Sequence, residues 1–304
     1  MTLLILTHNS MANFVPVALN IPPGKYVIAV SGGVDSMALL DILARKTSLE
    51  LIVAHFNHGI RADSAKDEVL VKETVQKYSL LFEVDHGRLG KDASEETARQ
   101  ARYEFLDAVK KKHKAKAVIT AHHQDDLIET AFLNILRGTG RKGLSSIMSP
   151  RIIRPLLNVP KPEILEYAKK HHLQWREDVT NIETRYLRNY IRQNLMSVLS
   201  KKQRQEILDN INKVAKLNKL IEQDIATLSH THLKELDRRQ FIMLPSEVSE
   251  ELLAQWLRNN QLRDFDRKTI KRLSTVIKTA PAGSVHDVIS GRRLKLTAKA
   301  VKLI

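Results

Sequence analysis

The chain of 304 residues has no cysteine, 43% hydrophobic residues and 49 Lys and Arg against 34 Asp and Glu. Its length suits one large domain with an appendage or two domains, and the missing cysteines exclude disulfides, thiolate metal sites and cysteine nucleophiles, as expected of a cytoplasmic protein. The net charge of +15 favours a polyanionic partner, above all nucleic acid, and is concentrated in residues 151–304, which hold 30 basic and 17 acidic residues.

The first segment, residues 1–24, ends in a Pro-Pro-Gly turn and contains one short apolar run, Met1 to Leu6. This run lacks the basic flank of a signal peptide, and no stretch of the chain approaches 18 consecutive apolar residues. The sequence therefore predicts neither a secretory leader nor a membrane-spanning segment, and we expect no membrane partner.

A strand predicted at Lys25–Val30 leads into SGGVDS (residues 31–36), and an apolar-periodic helix follows. Two adjacent glycines let the backbone approach a ligand, and the N–H groups and dipole of a helix start favour an anion. Ser31 and Ser36 add hydroxyl donors, and Asp35 could orient a metal or a water molecule. The loop lacks the lysine of a Walker motif. An ordinary Gly-Gly turn is the alternative, which the complete hexapeptide disfavours.

Strands and helices alternate up to about residue 150. Further strands are predicted at 49–56, 80–84 and 117–120, and helices at 64–78, 94–113 and 124–137. This alternation predicts an α/β fold with a doubly wound parallel sheet, in which ligands bind at the carboxyl ends of the strands. The glycine loop and residues 55–61 and 121–126 all lie at such ends.

Residues 122–130, HHQDDLIET, lead from a strand end into a helix. Asp126 and Glu129 lie at i and i+3 on one side of that helix, so the pair could hold a cationic substrate or magnesium. A transition-metal site and a merely solvated helix start are weaker alternatives, since no complete ligand set is fixed. Arg99 and Arg102, one turn apart on the preceding helix, could stabilise charge on a reacting phosphate. Considered alone, these two arginines are better explained as a surface pair than as part of a catalytic site.

Residues 137–143, RGTGRKG, contain a literal G-x-G-x-x-G, but they follow a helix rather than a strand, so no dinucleotide site is predicted. A flexible basic loop that contacts RNA or substrate, with Arg137 and Arg141, is one interpretation. An ordinary loop in which Gly138 terminates the helix is about equally compatible.

The pattern after Pro150 becomes helical. Arg185, Arg188 and Arg192 share one face of a helix predicted at 185–199, and such a row suits phosphate contacts. A solvated basic face is the alternative.

The second half of the chain also has a predicted helix at 160–172 and a long one at 201–230. The heptad-like apolar spacing of the long helix indicates a linker packed on a neighbouring domain, with a coiled-coil dimer as the less favoured alternative. A small α+β module follows, with a strand at 241–244, helices at 246–259 and 266–278, and a hairpin formed by 285–289 and 293–298. The predicted domains are 1–200, a helical linker at 201–232, and 233–304.

Eight short segments follow one another along the chain in a characteristic order: SGGVDS (31–36), FNHGIR (56–61), ARQARY (98–103), HHQDDLIET (122–130), RGTGRKGL (137–144), RPLL (154–157), EDVTN (177–181) and RNYIR (188–192). The series resembles the tRNA(Ile)-lysidine synthetases of the ATP pyrophosphatase (PP-loop) superfamily over about residues 25–195. The C-terminal module is only loosely similar to the family's appended domain, and larger members carry a further domain.

This resemblance implies a Rossmann-like PP-loop ATPase fold and a two-step ligase reaction. ATP adenylates the C2 carbonyl oxygen of the wobble cytidine in the CAU anticodon of isoleucine tRNA, with release of pyrophosphate. The ε-amine of lysine then attacks C2, AMP leaves and lysidine is formed. ATP, Mg²⁺, L-lysine and tRNA are the expected cofactors and partners, and a homodimer is an open option.

The resemblance also implies roles for individual residues. ATP would be bound by Ala29, Ser31, Gly32, Gly33, Val34, Asp35, Ser36 and His55. The catalytic group would be Asp35, Arg102, His122 and Asp126, with Asp35 near the pyrophosphate or its magnesium. Asp126 and Glu129 would bind the ammonium of lysine, whereas Arg137, Arg141, Arg185, Arg188, Arg192 and the C-terminal domain would bind tRNA. His122 or a carboxylate is expected to accept the amine's proton.

Other enzymes that share the loop are amide-forming synthetases and tRNA thiolases. The thiolases rely on cysteines to carry sulfur, and amide-forming synthetases have no need of a strongly basic second half. A non-catalytic, ATP-sensing RNA-binding protein is the alternative of a different class. The combination of Asp35, Arg102, His122 and Asp126 argues against it, because binding alone does not require that cluster.

Overall fold

The computed structural model describes residues 21–57, 59, 64–87, 95–148, 152–176, 187–228, 235–262, 265–289 and 291–304. The chain divides into two compact units, residues 1–215 and 216–304. The division lies inside the long helix Lys201–Leu228, so both units include part of the segment expected to be a linker. Among the described residues, no helix combines the length and the apolar character needed to cross a membrane.

The N-terminal unit is built on a five-stranded parallel sheet. Its strands are β1 (Gly24–Ala29), β2 (Leu49–Asn57), β3 (Leu81–His86), β4 (Ala117–Ile119) and β5 (Ile152–Ile153). They lie in the order β3-β2-β1-β4-β5, and every pair is parallel. Successive strands are added on one side of β1 up to β3 and on its other side from β4 onward. The junction between β1 and β4 is therefore the topological switch point, where such sheets bind ligands. The predicted doubly wound sheet is confirmed, and β5 is an edge strand that the sequence did not predict.

The described helices up to residue 228 are α1 (Val34–Ala44), α2 (Ser64–Lys77), α3 (Glu95–Lys112), α4 (Gln124–Leu136), α5 (Arg141–Leu144), α6 (Lys161–Lys170), α7 (Leu187–Tyr190) and α8 (Lys201–Leu228). Of these, α1, α2 and α6 pack on one face of the sheet and α3 packs on the other. A 3₁₀ turn, Ser146–Met148, follows α5, and a π-helical segment, Ile191–Met196, follows α7. Alternate residues of β1 serve the two faces: Ile28 packs with α1 and α6, and Val27 packs with α3.

A buried carboxylate holds α1 and α6 together. Asp41 of α1 is 1% exposed, accepts two 3.0 Å hydrogen bonds from Arg45, and accepts the hydroxyl protons of Tyr78 and Tyr167, the latter at 2.5 Å. Burial acts to raise the pKa of Asp41, but the hydrogen bonds from Arg45 and the two tyrosines outweigh it and hold the pKa below its usual value. Because Tyr167 belongs to α6, this contact fixes the two helices side by side.

The C-terminal unit combines helices with an antiparallel sheet. Its elements are β6 (Glu235–Asp237), α9 (Arg238–Met243), α10 (Ser246–Asn259), α11 (Arg267–Thr279), β7 (Val285–Asp287), β8 (Arg293–Leu296) and β9 (Ala300–Leu303). The sheet order is β6-β9-β8-β7. Phe241, Trp256, Leu273 and Leu296 are buried in its core, and Ile225 near the end of α8 packs against them.

The strand predicted at 241–244 is wrong, because these residues belong to α9 and the turn after it. Asp237 caps that helix by accepting a hydrogen bond from the backbone N–H of Gln240, and Phe241 points into the core. A run of four apolar residues has no period long enough to distinguish a strand from a helix turn. The predicted α10 and α11 are confirmed, whereas the last strand, β9, was not predicted.

Candidate active site

The glycine loop is held in shape by its own serines. Ser36 Oγ donates to Gly33 O at 2.9 Å and accepts from the Ser31 backbone N–H at 3.1 Å. Gly32 has φ of +91°, in the left-handed region that a side chain strains, and Gly33 is the extended residue before α1. The loop therefore presents the first turn of α1 at the carboxyl edge of the sheet, where its N–H groups favour an anion.

A second segment braces this loop from outside. Arg176 donates its backbone N–H to Gly32 O at 3.0 Å, and its Nε lies 2.6 Å from Asp67 Oδ1. A Cβ added to Gly32 would lie 3.4 Å from the Cβ of Asp67. Neither Arg176 nor Asp67 was predicted from the sequence. The one sequence signal for Arg176 is its position directly before the EDVTN motif. Residues 177–186, which include that motif, lie outside the described part of the chain.

Asp35 faces two nitrogen donors from other elements. Lys161 Nζ at the start of α6 lies 2.6 Å from both Asp35 oxygens, and His123 Nε2 lies 3.8 Å from Oδ2. His123 Nε2 is also 3.6 Å from Asp126 Oδ2. Because His123 Nδ1 accepts the backbone N–H of Asp125, the neutral ring carries its proton on Nε2, between the two carboxylates. Lys161 and His123 are site residues that sequence reasoning missed.

His122 lies next to these groups and is half-buried. Its Nδ1 is 2.7 Å from Thr120 Oγ1. Burial lowers the pKa of His122 to about 4; Asp126 acts in the opposite direction, and nearby guanidinium groups lower the pKa further. Those groups belong to Arg154, Arg102 and Arg99. A pKa so far below neutrality makes His122 a weak general base and favours a hydrogen-bonding role.

The arginines near His122 come from two parts of the fold. Arg99 and Arg102 of α3 lie over the ring of Tyr103, with their guanidinium carbons 5.0 and 5.4 Å from its centroid. Arg154, just after β5, is half-buried and donates to Ile152 O at 3.2 Å. Together they place positive charge near His122, and the catalytic role expected of Arg102 stays a prediction. Arg154 was quoted only as part of the RPLL motif.

The predicted carboxylate pair of α4 is present and is partly neutralised. Arg192 Nε lies 2.5 Å from Glu129 Oε1, and its Nη2 lies 3.8 Å from Asp126 Oδ1. Burial raises the pKa of Glu129, and Arg192 only partly opposes this. Glu129 Oε2 is buried and accepts no hydrogen bond from the described residues, while Arg188 Nε lies 3.9 Å from it. A buried oxygen in this state is a candidate acceptor for a cationic ligand.

The basic row on the predicted helix at 185–199 is not a plain solvated face. The α-helix α7 changes at Ile191 into the π-helical segment, and Arg188 and Arg192 approach Glu129. Arg188 and Arg192 therefore lie on the same side of this segment, facing α4. Arg185 lies outside the described residues, and the predicted contacts of these arginines with tRNA stay predictions.

The RGTGRKGL segment is folded. Gly138 has φ of +67° and ends α4, so the interpretation of this glycine as a helix terminator is confirmed. Asn134 Nδ2 donates to Gly143 O at 2.7 Å and fixes α5 against α4. Arg137 is exposed and Arg141 is half-buried, so the two arginines predicted to contact RNA differ in accessibility.

His55 and Ala29, which the resemblance assigns to ATP binding, adjoin the glycine loop. His55 is 3% exposed, its Nδ1 is 2.8 Å from Val30 O, and its Nε2 has no hydrogen-bond partner among the described residues. Burial lowers the pKa of His55. Ala29 ends β1 beside Ala54 of β2, in register with it. The binding of ATP by Ala29 and His55 stays a prediction.

Comparison with known proteins agrees with this geometry. A family model described as a PP-loop domain matches residues 6–199. The chain is 40% identical over 195 residues to a tRNA(Ile)-lysidine synthase of Geobacter sulfurreducens, covering 59% of this chain and 41% of that protein. It is 33% identical over 242 residues to a tRNA(Ile)-lysidine synthase of Clostridium acetobutylicum, covering 75% of this chain and 51% of that protein.

The chain spans about half the length of the curated relatives it matches. Among solved structures, the U34-tRNA thiolase NcsA of Methanococcus maripaludis aligns with a TM-score of 0.55 at 17% identity, over 64% of this chain and 74% of that one. This likeness shows the shared fold. The resemblance that the ordered motifs predicted is confirmed by the match of the family model and by the named relatives.

Proposed function

The chain belongs to the PP-loop domain family, which uses ATP, and we propose that it is a cytoplasmic ligase that joins lysine to the wobble cytidine of an isoleucine tRNA with a CAU anticodon. The proposal rests on the combination of three features at one edge of the sheet. They are a loop suited to anions, a group of arginines, and a buried carboxylate with an oxygen that accepts no hydrogen bond from the described residues. These three features match ATP phosphates, a reacting α-phosphate and a substrate amine. The names of the relatives supply the identity of the tRNA.

In the first step, the O2 atom of the cytidine attacks the α-phosphorus of ATP. The bond between the α-phosphorus and the bridging oxygen breaks, and pyrophosphate leaves. The glycine loop and the start of α1 would hold the departing phosphates, and Arg102 with its neighbours would stabilise the charge that grows on the α-phosphate oxygens. Neutral His122 would donate or accept a hydrogen bond at the reacting base or phosphate.

Magnesium fits this site as a companion of ATP. Among the described residues, no three His, Asp or Glu side chains are grouped to hold a metal ion. Mg²⁺ is commonly bound by one or two carboxylates together with substrate phosphates, which requires no such group. Asp35 is the residue that would hold it, because this carboxylate already receives a cation through both oxygens. Bound there, the ion would neutralise negative charge on the phosphates.

In the second step, the ε-amine of lysine attacks C2, the bond between C2 and O2 breaks, and AMP leaves. Asp126 and Glu129 would bind the ammonium of lysine, with Glu129 Oε2 as the acceptor that has no hydrogen bond of its own. The attacking amine must first lose a proton. Glu129 fits the role of base better than His122, because burial raises the pKa of Glu129 and lowers that of His122 to about 4.

The long basic part of the chain would bind the tRNA. Residues 151–304 carry the excess of positive charge, and Arg137 is exposed at the C-terminal end of α4. Phosphate contacts of this kind hold an RNA in place without reading its sequence. We therefore propose that the C-terminal unit is a tRNA-binding module.

Pyrophosphate release tests this function directly. With ATP, magnesium, lysine and an excess of an isoleucine tRNA that carries an unmodified CAU anticodon, we expect release to continue until each tRNA has reacted once. Without lysine, release stops after about one pyrophosphate per enzyme molecule, because the adenylated tRNA stays in the site. A matched tRNA with uridine at the wobble position gives none. Release without any tRNA would point to an amide-forming synthetase, and no release despite ATP binding would point to an ATP-sensing protein.

A further inference from the structure

Lys161 has no role in the mechanism so far, yet it makes a close charged contact with the carboxylate of the glycine loop. It is the first residue of α6, and its Nζ lies 2.6 Å from both oxygens of Asp35, 126 residues away in sequence. The two side chains are 30% and 27% exposed, so the pair lies at the mouth of the site rather than in the core. The carboxylate it holds is the one proposed above to receive magnesium.

The position of Lys161 is fixed by the fold. Pro160 and Pro162 flank it, and Pro160 caps α6 in the extended conformation that proline favours. The residue before this turn, Val159, accepts a 3.1 Å hydrogen bond from the backbone of Gln124, the first residue of α4. Farther along α6, Tyr167 is tied to α1 through Asp41. Lys161 is therefore held between α1 and α4, the two helices that carry the proposed catalytic carboxylates.

Lys161 and a divalent ion cannot use Asp35 in the same way at once. A magnesium ion binds carboxylate oxygens at about 2.0–2.1 Å, and here an ammonium group already contacts both oxygens. The other donor that faces Asp35 is His123, whose Nε2 is 3.8 Å away. A metal ion that binds Asp35 would therefore compete with Lys161 for the same carboxylate. The displaced ammonium, a flexible point charge with three donors, suits phosphate oxygens.

We propose that Lys161 is an exchangeable counter-ion of Asp35. It neutralises the carboxylate while the site holds no nucleotide, gives way to the metal ion that arrives with ATP, and then binds the phosphate oxygens. The inference rests on the proposed function only in taking ATP and its metal as the ligands. It makes Lys161 a further ATP-binding residue. It also means that Lys161 weakens the binding of a metal ion when no nucleotide is present.

Metal binding without nucleotide tests the exchange. Mn²⁺ binding to the full chain is measured by electron paramagnetic resonance, without ATP, tRNA or lysine. Lys161→Met is expected to bind Mn²⁺ about tenfold more tightly than the unaltered protein, because the competing ammonium is gone. Lys169→Met, an exposed lysine of the same helix, leaves the affinity unchanged. Asp35→Asn abolishes the tight binding seen in the Lys161→Met background.

ATP binding is expected to change in the opposite direction. In pyrophosphate release, Lys161→Met raises the KM for ATP about tenfold, and Lys161→Arg restores most of the affinity, since a guanidinium also binds phosphate. Unchanged or weaker Mn²⁺ binding by a folded Lys161→Met protein overturns the proposal, whatever its turnover. Tighter Mn²⁺ binding in a protein that releases no pyrophosphate with any tRNA supports the exchange and refutes the proposed function instead.

Discussion

Asp35→Asn is expected to lower the rate of tRNA-dependent pyrophosphate release by about 10³-fold, the size of loss that follows removal of one group that stabilises transition-state charge. The amide cannot hold a divalent ion on the phosphates, and it leaves Lys161 without its counter-ion. The measurement is the initial rate of pyrophosphate release at saturating ATP, lysine and tRNA. Because the pair is partly exposed, the loss of stability is expected to be about 1 kcal/mol or less.

The matched control is Asp107→Asn, which removes a carboxylate from an exposed position of α3. It should leave both the rate and the thermal unfolding temperature unchanged. A folded Asp35→Asn protein that keeps more than about a tenth of the original rate would show that Asp35 does not hold the metal or the phosphates, since such a residue is typically worth more than tenfold.

Glu129→Gln is expected to separate the two steps of the reaction. It should raise the KM for lysine by about 10²-fold or more, the effect of removing one partner of a buried charge contact, while the first pyrophosphate per enzyme molecule is still released. The single-turnover burst without lysine therefore serves as an internal control for folding and for ATP binding. Asp126→Asn keeps an oxygen that can cap α4 and should also raise the KM for lysine.

The pH dependence gives this prediction a second readout. The raised pKa of Glu129 means that its carboxylate is lost at a higher pH than that of an ordinary glutamate. The KM for lysine should therefore rise as the pH is lowered from neutrality, and the Glu129→Gln variant should lose this part of the dependence. An unchanged KM for lysine in a variant with a normal burst would contradict the assignment of Glu129.

Local sequence patterns were enough to predict the strands and helices that carry the site. The apolar run before residues 31–36, the two glycines and the periodic helix after them specify a strand, a turn and a helix start, and each element has the predicted type. Alternation of strands and helices up to residue 150 specifies the parallel sheet. The spacing of Asp126 and Glu129 was also sufficient to predict that the two carboxylates lie on the same side of one helix, because positions three apart on a helix are neighbours.

The contacts that complete the site depend on residues far apart in sequence. Lys161 reaches Asp35 only because α6 packs beside α1, and no local pattern encodes that pairing. Arg192 reaches Glu129 because residues 187–196 pack beside α4, a pairing of distant segments that no local pattern encodes. The error at 241–244 has a different cause, since a short apolar run is compatible with both a strand and a helix turn.

The formation of the bond between lysine and tRNA is the most direct test of the account. The purified protein is incubated with ATP, magnesium, radiolabelled lysine and total tRNA from a strain that lacks this modification, and acid-insoluble label is counted after deacylation. We expect label that resists deacylation, requires ATP and disappears with Asp35→Asn. Absence of stable label, from a folded protein that binds ATP, would contradict the proposed ligase activity and leave another adenylating enzyme or an ATP sensor.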